Sequence, residues 1–107
     1  MSTYNASLIV TNSRETEVFF FVEPWGNRHQ MAPHANFIVK ASSSVDGMLQ
    51  IEYTEDTITV YGWEGSIVTL FDQESGVVLD DYSEHPVPPI FHDSPYHLLL
   101  KSRERKI

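Results

Sequence analysis

The stretch TEVFFFVEPWGNRHQMAPHANFIVKA, residues 16–41, decides how the chain is read. Val18-Phe19-Phe20-Phe21-Val22 has no polar member. A strand of that kind needs cover on both faces, so it belongs centrally in a sheet or under a flanking element. Asn36–Ala41, NFIVKA, is a second strand candidate. Between them EPWGNRHQMAPHAN carries Pro24, Gly26 and Pro33, residues that turn a chain, and it is read as a loop. His29 and His34 in this loop are five apart, a spacing that neither a helix face nor a strand face brings together. Zinc needs three or four ligands, so these two would need Glu23 or a histidine from the tail. The metal reading therefore gives way to turn histidines.

Working outward, short strands rich in β-branched and aromatic residues alternate with turn signals from Ala6 to about Asp80. SLIVTN precedes the opening stretch. After it come MLQIEYT, with Leu49, Ile51 and Tyr53 alternating against Gln50, Glu52 and Thr54, then TITVYG, SIVTLFD and VVLD. Asp46-Gly47 reads as a hairpin turn, because Gly at a primed turn supplies positive φ. Glu55-Asp56, Glu64-Gly65 and Ser75-Gly76 mark the later turns. About seven strands with short loops predict an all-β antiparallel sandwich, residues 1–80, resembling immunoglobulin-like and cupredoxin-like domains. Residues 81–107 form a Pro-rich segment followed by a helix or strand, docked on the same domain. Ser94-Pro95 resembles a helix start, and Tyr96, Leu99, Leu100 and Ile107 share a helical face.

Charge is uneven. Residues 101–107 hold four of the seven bases, leaving three bases against fourteen acids in the first hundred residues. Phosphate backbones and anionic membranes would repel such a body, so neither nucleic acid nor membrane is an expected partner. The absence of cysteine removes disulfides, thiol nucleophiles, zinc–thiolate and type 1 copper sites. The N-terminus lacks a basic region followed by a long apolar run, so a cytoplasmic location is expected.

No serine-nucleophile elbow, phosphate loop or paired metal-binding histidine motif is present. Glu23 and Glu52 are the strand-borne candidates for paired carboxylates, and Asp80-Asp81 reads as an ordinary loop pair. No catalytic residue and no cofactor are assigned. A binding or interaction module is the favoured function, with Trp25, Trp63, Glu23 and Glu64 as candidate contact residues. Each tryptophan stands beside a glycine and a carboxylate, a setting that suits either a surface platform or a lid on the core. Leu98, Leu99 and Leu100 are more apolar than a free tail should be. They imply docking on their own domain, a protein partner, or a second copy exchanging tails in a homodimer. Two other classes stay open. A metal-dependent enzyme would need at least three of His29, His34, His85, His92 and His97 to converge with Glu23; an inhibitory mimic of nucleic acid would need the acids in a stripe.

Glu23-Pro24-Trp25-Gly26 and Tyr61-Gly62-Trp63-Glu64-Gly65-Ser66, within residues 8–72, resemble the signature of small bacterial proteins with an EPWG motif and no assigned activity. The resemblance implies a compact β-domain and carries over no site. In that group the turn after EPWG usually reads Pro-Pro-Gly, whereas this chain has Ala32-Pro33-His34-Ala35. That departure puts a special backbone requirement at this turn in doubt.

Overall fold

A computed structural model describes residues 3–89. The described chain is all β, with eight strands: β1 (Tyr4–Thr11), β2 (Val18–Glu23), β3 (Asn27–Met31), β4 (Asn36–Ser43), β5 (Gln50–Tyr53), β6 (Thr57–Tyr61), β7 (Ile67–Asp72) and β8 (Val78–Asp81). They form two four-stranded sheets, ordered β1-β4-β7-β8 and β3-β2-β6-β5. Alternation of side chains gives each sheet one apolar face. From β1, β4 and β7 come Val10, Phe37, Val39, Ala41, Val68 and Leu70; from β2, β3 and β6 come Val18, Phe20, Val22, Met31, Ile58 and Val60. The two sets meet in one core, where Phe20 and Phe37 pack edge to face with ring centroids 5.2 Å apart.

The all-β class and most strands follow the sequence pattern. β2 lies between β3 and β6, as its apolar run requires. Its outward residues Phe19 and Phe21 are half-buried, and Arg28 lies over the Phe19 ring at 4.8 Å.

Four expectations are corrected. First, the described residues hold eight strands, because NRHQM pairs antiparallel with β2 inside what reads as a loop. Its polarity reflects an edge position: Arg28 and Gln30 pair with the outward Phe21 and Phe19, and only Met31 is fully buried. Second, the sheets are not wholly antiparallel, since β2 runs parallel to β6. β3, β4 and β5 intervene, which supplies the long connection that a parallel pair needs. Third, Asp46-Gly47 does not make a hairpin, for β4 and β5 belong to different sheets. Gly47 is absent from the positive-φ positions, which among glycines are Gly26, Gly65 and Gly76. What it supplies is closeness: a Cβ there would overlap Cβ, Cγ and Cδ1 of Trp63. Fourth, His34 adopts φ +64° in the β3–β4 turn, so the left-handed position persists without glycine.

Asn12 fixes this turn from beneath. It is 1% exposed, and its amide donates to the carbonyls of Thr16 (2.9 Å), Met31 (3.1 Å) and Ala32 (3.1 Å). Its side-chain oxygen accepts from the Arg14 N–H at 3.0 Å, and its backbone bonds Ala35 and His34. Beyond β8, Tyr82 and Val87 are buried. Val87 exchanges backbone bonds with the β6–β7 turn, accepting from Gly65 and donating to Ser66, both at 2.9 Å. The expected C-terminal helix or strand lies outside the described residues.

Candidate functional site

The two layers have unlike margins. Along one margin β3 faces β8, and polar groups close it. His29 Nε2 contacts Asp80 Oδ2, and Asn27 Nδ2 donates to Asp80 Oδ1 at 3.3 Å. Pairing of Asp80 with buried Leu70 shows why this carboxylate points between the sheets. Tyr82 follows, stacked on Trp25 with ring centroids 4.2 Å apart and planes 5° from parallel. Trp25 Nε1 donates to the His85 carbonyl at 3.0 Å, tying the β2–β3 turn to the segment after β8. A cleft of about 460 Å³ opens between β3 and the β7–β8 hairpin, with His29, Phe37, Glu74 and Leu79 in its wall.

Asp80 and Asn27 face the Tyr82 hydroxyl, yet neither meets it in normal hydrogen-bond geometry. Burial, first, and the Asp80 carboxylate, second, push this phenol well above its ordinary range. Because the folded group holds its proton more tightly, its contribution is intact below the unfolded value of about 10 and erodes as pH rises above it. Tyr82→Phe removes the unpartnered hydroxyl. It is expected to leave neutral-pH stability unchanged, or raise it by about 1 kcal/mol, and to flatten the alkaline limb of a melting-temperature profile. A Phe variant that melts lower at pH 7 would count against this account.

The structure brings only part of the sequence-derived set together. His29 joins Asp80; His34 is exposed and pairs with Glu15 at 3.2 Å; His85 is exposed and contributes its carbonyl. His92 and His97 lie outside the described residues. Among the described residues no three His, Cys, Asp or Glu side chains gather in a metal-binding set. Glu23 is buried at 4% at the end of β2, beside Tyr82, whereas Glu64 is exposed. Glu52 sits on β5 and Glu23 on β2, with β6 between them. Trp63 mirrors Trp25: it is half-buried against the core, and its Nε1 donates to the Val45 carbonyl at 2.7 Å.

With β3 and β8 joined, β1 and β5 form the opposite margin, and this one stands open. β5 pairs only with β6 among the described residues, so its other edge is unpaired. Ile51 pairs with core Val60 and Tyr53 with core Ile58, so both side chains face inward. They remain 38% and 57% exposed, because nothing described covers the margin. Among the described residues, six of the eight exposed large apolar side chains lie on β1, on β5 or on the connection entering β5: Tyr4, Ile9, Val45, Met48, Ile51 and Tyr53. Residues 45–56 also hold Asp46, Glu52, Glu55 and Asp56 and no base. A second apolar row, Ile9-Ile38-Phe71-Val78, crosses the outer face of the other sheet, but there Lys40 lies over Phe71. The sequence pattern predicts Ile51 and Tyr53 as a buried face. Their exposure depends on β5 being a margin strand, which periodicity does not encode.

Comparison with family models, curated proteins and solved structures finds no match for this chain.

Proposed function

We propose that the protein is a non-catalytic interaction module that takes up an extended segment along the free edge of β5. One observation carries the reading: an edge strand whose outer side has no partner among the described residues, with Ile51 and Tyr53 exposed and set among four carboxylates. Exposed edges are normally blunted by charge, proline or a covering element, because their free N–H and C=O groups invite another strand. A chain that adds there gains main-chain hydrogen bonds, while side-chain pockets give specificity. Apolar residues against Ile51 and Tyr53, followed by bases against Glu55 and Asp56, describe the partner chemistry. The immunoglobulin-like and cupredoxin-like comparison fits this use, since both are layered scaffolds offering edges and loops. In this reading Trp25, Trp63 and Glu23 hold the scaffold, and the cytoplasmic placement stands as part of the proposal.

An extended peptide with alternating leucines followed by two arginines, titrated into the full chain, is expected to shift the amide resonances of Ile51 and Tyr53. The double variant Ile51→Lys/Tyr53→Lys is expected to bind it about tenfold more weakly or worse, a loss of about 1.4 kcal/mol or more. Binding should also weaken with added salt. Shifts confined to another surface, or equal affinity in the double variant, would sink the reading.

A further inference from the structure

We propose that the first occupant of the β5 edge is the chain's own segment 96–103, YHLLLKSR, docked in cis and running parallel to β5. The inference rests on the edge reading above and adds the identity of the segment.

Three observations carry it. The first is where the described chain leaves the domain. Val87 packs against Gly62, which follows Tyr61, and Tyr61 pairs with Gln50 at the start of β5. Adjacent strands are only about 4.8 Å apart. The chain therefore departs beside the N-terminal end of the open edge, and from that end it can advance only along β5's own direction. The second is length. Six residues lie between Pro89 and Tyr96, and the seven steps span up to about 23 Å when extended, ample for so short a distance. The third is the order of chemistry. Leu98, Leu99 and Leu100 come first and Lys101 and Arg103 next, while β5 offers Ile51 and Tyr53 first and Glu55 and Asp56 next. Laid parallel, leucines meet the apolar pair and bases meet acids. The row on the outer face of the other sheet, with Lys40 beside it, offers no such match. An external partner then competes with a tethered segment already present at high effective concentration.

The amides that report on this can be named. Thr54 N–H donates to Thr57 at 2.8 Å, so alternation turns the amides of Gln50 and Glu52 toward β6 and those of Ile51 and Tyr53 toward the open edge. Hydrogen exchange at Ile51 and Tyr53 is measured in the full chain, in Leu98→Asp/Leu100→Asp and in Lys101→Glu/Arg103→Glu, with Val60 as the folding control. Exchange at the two reporters is expected to rise tenfold or more in the Asp variant and less in the Glu variant, with Val60 unchanged. The leucine–arginine peptide is expected to bind the Asp variant at least tenfold more tightly than the unaltered chain. Unchanged exchange with equal peptide affinity in all forms would overturn the cis segment while leaving the edge reading intact. Protection that disappears on dilution would overturn it in favour of a second copy's tail. Peptide binding to no form would overturn both proposals.

Discussion

Asn12→Asp is expected to destabilise the protein by about 3–5 kcal/mol at neutral pH, the range for an uncompensated buried charge. The amide it replaces sits at 1% exposure and directs its N–H groups at three backbone carbonyls. Aspartate would set a charged acceptor against those three acceptors and leave them unpaired. Only the bond from Arg14 N–H could survive. Asn12→Ala loses the same donors without adding a charge and is expected to cost less, about 1–3 kcal/mol. The ordering Asp worse than Ala is the diagnostic outcome, and chemical denaturation of the two variants checks it. Burial should raise the new carboxyl's pKa, so its neutral form is favoured in the fold. The Asp variant should therefore recover towards the Ala variant as pH falls to about 4 and diverge as pH rises. Equal stability of the two at pH 7 would show that the site admits water.

Gly47→Ala is the second large effect. The added methyl would overlap the root of the Trp63 ring rather than its far edge. Rotating the indole aside would break its bond to the Val45 carbonyl, so relief must come from the backbone. Overpacking of this kind costs about 1–3 kcal/mol, and loss of the indole bond adds about 1 kcal/mol. For a domain this small each kcal/mol lowers the melting temperature by about 4–8 °C. A shifted tryptophan emission should accompany the loss. In a Trp63→Ala background only the 2.8 Å approach to the Cβ at position 63 remains, so the same glycine replacement should cost less, and that non-additivity is the test of contact. Full additivity would place the cause elsewhere.

These two residues also show how far the sequence could be read. The apolar runs at Val18–Val22 and Phe37–Val39, and the alternation of Val68 and Leu70 about Thr69, announce strands because burial on a sheet face demands them. Turns at Glu55-Asp56 and Ser75-Gly76 join strands that are neighbours in one sheet, so local chemistry suffices there. Asp46-Gly47 looks the same locally, but its glycine answers to Trp63, a contact made across the fold. β3 is hidden by its polarity, although His29 and Met31 alternate inward against Arg28 and Gln30. Asn12 carries no local signal at all, since an asparagine after a strand is ordinary turn chemistry. His29 stands out in the sequence as a candidate, but its partner Asp80 emerges only once two sheet margins meet. The open β5 edge is likewise a property of strand order.

The parallel pairing of β2 with β6 has a consequence in time. Among the described residues only β2–β3, β5–β6 and β7–β8 are hairpins that close locally, on a scale of about 1–10 μs. Every pairing that joins them waits on a remote segment: Phe19 on Thr57, Tyr4 on Ser43, Phe37 on Asp72. Until those loops close, three small ribbons carry half-made apolar faces and share no core. A topology so dominated by distant contacts folds on the scale of milliseconds to seconds.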